Sequence, residues 1–338
     1  MIIDYRSDTV TQPTKDMLAA MFAAPVGDDV FGEDPSINEL ETLSARMFGM
    51  EAALYCPSGT MTNQIAIKCH TQPGDEVICD ETSHIYQYEG GGIAANAGVQ
   101  VKLLYGDRGR ITAEQVSAAI NADDVHKART TLVSLENTSN RGGGSCYSLS
   151  EIQRIKHVCD EHNLALHLDG ARLFNAMVAK GEKAEDYGKA FHSISICLSK
   201  SLGCPVGSLV LGTTGFIGKA RRVRKMFGGG MRQAGYLAAA GVHALQTNIS
   251  RLTEDHQHAQ LLAKALEQKD FVETVLPAET NIIIFSVKNR FHPKSLVAKM
   301  KENGILWYAI SPTQVRIVTH LDVTPAMIEK TISTINAL

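Results

Sequence analysis

SLSEIQRIKHVCDEHNLALHLDG, residues 148–170, reads as a capped amphipathic helix that passes directly into a strand. Working outward, ARTTLVSLEN (128–137) precedes it as a strand ending in polar residues, and HSISI (192–196) follows as another apolar-alternating strand. Upstream the pattern repeats. SINELETLSARMFGM (36–50) is a helix behind Ser36, AALYCPSG (52–59) a short strand, and TMTNQIAIKCH (60–70) a second helix. QPGDEVICD (72–80) is a turn and buried strand, and HIYQYEGGGIAANAG (84–98) a short helix in a glycine-rich loop. VQVKLLYG (99–106) is a strand and ITAEQVSAAI (111–120) a helix. Such alternation predicts an α/β fold with a mostly parallel, helix-covered sheet, whose functional side chains gather beyond the carboxyl ends of the strands.

Beyond the strands that flank Lys200, residues 216–250 and 251–269 read as long helices. NIIIFSV, SLVAKMKENG, ILWYAIS, QVRIVTHL and TPAMIEKTISTI then give strand, helix, strand, strand and helix, with Thr324 as N-cap and Pro325 at the first helical position. A chain of 338 residues exceeds what one core usually supports. The expected division is a large domain, 1–250, carrying the N-terminal segment, and a small α/β domain, 251–338, with a cleft between them.

Composition excludes more than it names. Hydrophobic residues at 44% and charged residues at 20% describe an ordinary globular chain, and a net charge of −3 gives no general attraction to nucleic acid or anionic membrane. The basic run GKARRVRKM (218–226) lacks interleaved aromatics and reads as a solvated or interface helix face. No apolar run approaches a membrane span and MIIDYRSDTV does not resemble a signal peptide, so the expected location is the cytoplasm. Seven scattered cysteines without a C-x-x-C pair fit neither a disulfide framework nor zinc, so no metal is expected, and only Cys204, near Lys200, attracts interest.

The residues at the strand ends suggest a chemistry. Pyridoxal 5'-phosphate needs a lysine for its aldehyde, a carboxylate for its ring nitrogen, a hydrogen-bonding cup for its phosphate and a flat group over its ring. Lys200, Asp169, Ser58–Gly59–Thr60 and His84 supply these in turn. Each also has an ordinary explanation: a surface lysine, a helix cap, a plain turn, a core histidine. An apolar strand end beside cationic Arg172 is expected to depress the pKa of Lys200, and Gly203, Pro205 and Gly207 to turn the chain beneath the cofactor without adding bulk.

RSDTVTQPT (6–14), APVGDDVFGEDPS (24–36), PSGTMTNQ (57–64), SLENT (134–138), HLDGARLFNA (167–176), LSKSLGCPVGS (198–208), KMFGGGMRQAG (225–235) and RIVTHLD (316–322) together resemble the motif series of low-specificity L-threonine aldolases. The resemblance spans nearly the whole chain. It implies a fold-type I pyridoxal-phosphate enzyme of the aspartate aminotransferase superfamily, with a seven-stranded large-domain sheet, acting on a small-molecule amino acid. Lys200 falls on the Schiff-base lysine, Asp169 on the pyridinium partner, and Arg172 on the arginine shared by the cofactor and the substrate carboxylate. Arg316 and Ser7 match the other carboxylate-binding residues. Arg232 matches an arginine reaching the cofactor phosphate of a neighbouring subunit, within a homotetramer of catalytic dimers. The implied reaction is cleavage of L-threonine or L-allo-threonine to glycine and acetaldehyde, with a β-eliminating lyase or an aminotransferase as the alternative on the same scaffold. The β-hydroxyl proton could pass to His84 or to His126, directly or through water; His126 matches a histidine at this place in the family, and stacking on the ring is the other role open to His84.

This sequence departs from that pattern at Phe31, where many members have Tyr, at Ser139 (His), at Ser201 (Gly) and at Tyr308 (Asn). The Tyr308 change, with Trp307 beside it, bears on the aldehyde preference. For Ser201 the sequence offers no account.

Overall fold

The alternation of strands and helices closes into a seven-stranded sheet in the computed structural model, which describes residues 2–338. After a short strand β1 (Ile3–Asp4), the strands β2 (Ala52–Cys56), β3 (Glu76–Asp80), β4 (Gln100–Leu104), β5 (Thr130–Glu136), β6 (Ala165–Gly170), β7 (Ser193–Cys197) and β8 (Ser208–Gly212) follow. The sheet order is β2-β8-β7-β6-β5-β3-β4. Only β8 runs against its neighbours. The reason is the short turn from Leu198 to Gly207, which is too brief for the crossover that a parallel pair requires. Strands β3, β7 and β8 are buried along their whole length, as strands covered by helices on both faces must be.

The second sheet, of four strands, joins β9 (Val272–Val275) and β10 (Ile282–Val287) to β12 (Tyr308–Ala309) and β13 (Gln314–Val318), while β11 (Ile305–Leu306) pairs with β1. Its core is separate from that of the large sheet and includes Ile3 and Tyr5. The N-terminal segment therefore begins inside the small lobe, not the large one, before it enters the cleft.

Local chemistry corrects several expectations. The helix Pro35–Phe48 is capped by Asp34, whose carboxylate accepts from Ile37 N–H at 3.1 Å, with Ser36 already inside it. The stretch read as one helix over 216–250 is two, Thr214–Met226 and Gly235–Thr247. Gly228, at φ 79°, breaks it in a conformation that side-chain-bearing residues avoid. ILWYAIS is two short strands: Trp307 lies buried in the small-lobe core against Phe285 while Tyr308 is half exposed. Strands β1 and β9 carried no sequence signal strong enough to be read.

Candidate active site

Lys200 stands in the turn after β7. Its Nζ approaches Cys197 Sγ at 3.7 Å and forms no ion pair among the described residues. Ser208 donates to the same sulfur at 3.2 Å. The helix Gly59–His70 starts against this sulfur, with Ser58 Oγ accepting from Met61 N–H. A Cβ on Gly59 would lie 2.5 Å from Cys197 Sγ, so only glycine lets the helix start come so close. Ser58 and Thr60 are exposed beside it.

Asp169 closes β6 and is buried. Its Oδ1 accepts from Ala171 N–H at 3.1 Å and its Oδ2 from Asn63 Nδ2 at 2.9 Å. His84, after β3, meets Glu89 Oε1 through Nδ1 at 3.1 Å, and its backbone N–H donates to Glu136 Oε2 at 2.7 Å. Burial acts to lower the His84 pKa, but the bond to Glu89 and the charges of Asp169 and Glu136 outweigh it, and the net shift is upward. Glu136 is pushed up to about 7, by burial first and by Asp169 second.

The N-terminal segment supplies a residue that the sequence reading passed over. Asp8 is buried and accepts from Arg172 through Nε at 2.8 Å and Nη2 at 2.7 Å. Burial opposes its charge, yet the Arg172 guanidinium holds its carboxyl well below the usual range. Ser201 Oγ donates to Asp8 Oδ2 at 2.9 Å, which gives that serine its function. From the small lobe, Arg316 donates through Nη1 to Asn140 Oδ1 at 2.8 Å and through Nη2 to the Arg6 carbonyl at 3.0 Å, and its Nε is buried without a partner. Burial, reinforced by nearby Arg172, pulls its pKa down to about 10.

These groups surround a cleft of about 640 Å³ between the lobes, lined by Ser7, His84, Arg172, Lys200, Tyr308 and Arg316 among others. Asp169 adjoins it through the His84–Glu89–Asn63 contacts. His126 is not part of it: its side chain is 87% exposed on the 121–129 loop, bonded to Asp124. Arg232 is likewise on the surface, paired with Asp28 at 2.8 Å. Cys204 is buried and its thiol is pushed up to about 12, so Cys197 is the cysteine beside the lysine. The basic run is not simply solvated, since buried Arg224 pairs with Asp29 and Arg221 with Glu41 at 2.9 Å. One group among the described residues, His84, Glu89 and Asp169, has its polar atoms within 4.8 Å of one another. Hydrogen bonds link the three: Asn63 Nδ2 donates to both Glu89 and Asp169, and His84 Nδ1 meets Glu89.

Known proteins resemble this chain in sequence and in fold. Residues 4–290 match the beta-eliminating lyase family. The chain is 44% identical to the low specificity L-threonine aldolase of Escherichia coli K12, over 96% of this chain and 95% of that one. It is 42% identical to low-specificity L-threonine aldolase 1 of Arabidopsis thaliana, over 98% and 94%. Its fold superimposes on a threonine aldolase structure from Leishmania major with a TM-score of 0.86 at 21% identity, covering 99% of each chain.

Proposed function

The chain belongs to the low-specificity L-threonine aldolase family, and on that premise we propose that it uses pyridoxal 5'-phosphate to cleave L-threonine, L-allo-threonine and related β-hydroxy-α-amino acids to glycine and an aldehyde. The observation that carries this reading is the cleft itself. It brings the amine of Lys200 into one cleft with Arg316, a partly buried cation whose bonded partners are all neutral acceptors.

The residues fit the cofactor. Lys200 offers an amine without a carboxylate partner, Asp169 a buried carboxylate, and Gly59 a helix start that a Cβ would block. Ser58, Gly59 and Thr60 would hold the phosphate, His84 would cover the ring and Lys200 would bond the aldehyde carbon. When bound, the cofactor supplies an electron sink for the pair released as the Cα–Cβ bond breaks.

The chain's own residues decide which bond that is. Arg316, Arg172 and Ser7 hold the substrate carboxylate, the guanidinium forks imposing a plane that a lysine would not. Fixing the carboxylate fixes the rotation about Cα, and so which bond stands perpendicular to the ring. Because His84 gives its Nδ1–H to Glu89, its Nε2 is the atom free to take the β-hydroxyl proton. We assign this step to His84 and not to His126, which is solvent-exposed and absent from the cleft of its own chain. Tyr308, half exposed at the cleft, meets the substituent beyond the hydroxyl, whereas Trp307 is turned into the small-lobe core.

The reading extends to a cytoplasmic homotetramer of catalytic dimers, with Arg232 reaching the neighbouring subunit's cofactor phosphate, in glycine formation from threonine. No helix among the described residues is long and apolar enough to cross a membrane. Neither a nucleic-acid nor a membrane partner belongs to the proposal.

Purified protein supplied with pyridoxal 5'-phosphate and L-threonine is expected to release glycine and acetaldehyde in equal amounts, and Lys200→Ala to lose both turnover and the visible absorption of the bound cofactor. Release of 2-oxobutanoate as the main product would overturn cleavage in favour of β-elimination; a wild type that gains no absorption would overturn the cofactor assignment.

A further inference from the structure

The helix Gly59–His70 carries Asn63 and Gln64, both buried. Asn63 Nδ2 donates to two carboxylates at once, Asp169 Oδ2 at 2.9 Å and Glu89 Oε1 at 2.9 Å. Its Oδ1 faces His167 Nε2 at 3.2 Å. Only one orientation of the amide works, since the reverse would aim its oxygen at both carboxylates. His167 must then donate from Nε2, so its Nδ1 accepts from Ser193 Oγ at 2.8 Å. Ser193 in turn accepts from His70 Nε2 at 2.8 Å. Burial holds His70 and His167 neutral, at about 3 and about 4, which this single donor direction requires.

Every hydrogen bond in the series therefore points the same way, from His70 through Ser193 and His167 to Asn63, and ends on the two carboxylates. The Glu89 oxygen that receives Asn63 is the one that meets His84 Nδ1.

We propose that Asn63 is a positioning residue, which through one amide nitrogen fixes both the carboxylate for the cofactor's ring nitrogen and, by way of Glu89, the tautomer and orientation of His84. Gln64 supports only one arm, since its Nε2 donates to Glu89 Oε2 at 2.6 Å and it forms no bond to Asp169. Without Asn63, Asp169 Oδ2 would lose its amide donor and Glu89 would keep only His84 and Gln64, and bonds from a neutral donor to a charged acceptor are among the stronger ones in proteins.

The inference rests on the proposed cofactor and on His84 as base, and two readouts separate its parts. The first is the affinity of the apoprotein for pyridoxal 5'-phosphate, measured by fluorescence titration; the second is the acid limb of the pH profile of kcat/KM. Asn63→Leu, similar in volume, is expected to weaken cofactor binding by about tenfold or more and also to move the acid limb. Gln64→Leu is expected to move the acid limb while leaving cofactor affinity within about twofold. If Asn63→Leu does not fold, the near-isosteric Asn63→Asp serves, with weaker cofactor binding at pH 8 that recovers on acidification as the new carboxyl gains a proton. Wild-type cofactor affinity in the Asn63 variants would overturn the inference, as would a loss of affinity with the acid limb unmoved. A wild-type protein that binds no cofactor would instead overturn the functional proposal itself.

Discussion

Asp8 joins three segments distant in the chain. Its carboxylate takes both nearer nitrogens of Arg172, the hydroxyl of Ser201 and, at 3.3 Å, the amide of Asn281, which also reaches Ser201 at 3.1 Å and the Thr319 carbonyl at 3.1 Å. The N-terminal segment, the turn beside Lys200 and the small lobe are thereby tied to the orientation of one guanidinium. Asp8→Asn leaves that buried cation without its counter-charge, a change that typically costs about 3–5 kcal/mol. Urea denaturation should show a loss of this size, together with a KM for L-threonine raised about tenfold as Arg172 loses its fixed plane. A KM unchanged alongside the stability loss would mean that the pair braces the lobes without orienting the substrate.

The helix that begins at Gly59 has two duties. Its first turn, capped by Ser58, presents backbone N–H groups where an anion binds well, and one turn further it delivers Asn63 beneath the cleft. Both depend on how closely it approaches the end of β7. Gly59→Ala would place a methyl 2.5 Å from Cys197 Sγ, and the helix start would have to retreat. The expected cost is about 1–3 kcal/mol in thermal unfolding of the apoprotein, with weaker cofactor binding. Adding Cys197→Ala to the same chain removes the obstructing sulfur, so much of both losses should be recovered; no recovery would place the need for glycine elsewhere. The periodicity that located this helix could not show that its start is pressed against a sulfur more than a hundred residues away, because such contacts follow from sheet order and not from local pattern.

Across the whole molecule, the two lobes keep separate cores and meet through polar contacts such as His256 Nε2 to Asn175 Oδ1 at 3.0 Å, Arg108 to Glu279 at 2.9 Å and Arg316 to Asn140 at 2.8 Å. Burial lowers His256 to about 4. The unfolded chain takes up a proton near pH 6.5 that the folded one refuses, so this histidine's contribution to stability falls as the pH drops below that value. At pH 5 the loss is about 2 kcal/mol. His256→Gln does not titrate, so its stability deficit against wild type, measured by urea denaturation, should narrow by about that amount between pH 8 and pH 5; a constant deficit would show that the histidine is not kept neutral. The strand and helix alternation, the glycine and proline breaks and the residue types at strand ends were local properties of the chain. From them the α/β architecture and the gathering of Ser7, His84, Arg172, Lys200 and Arg316 could be read. The partners of those residues could not. Asp8 and Arg172 are 164 residues apart, and Asn63 and Asp169 are 106 apart. Such pairs exist because strand order and lobe packing bring polar groups together away from water, where each donor and acceptor must find the other, and no local periodicity encodes that encounter.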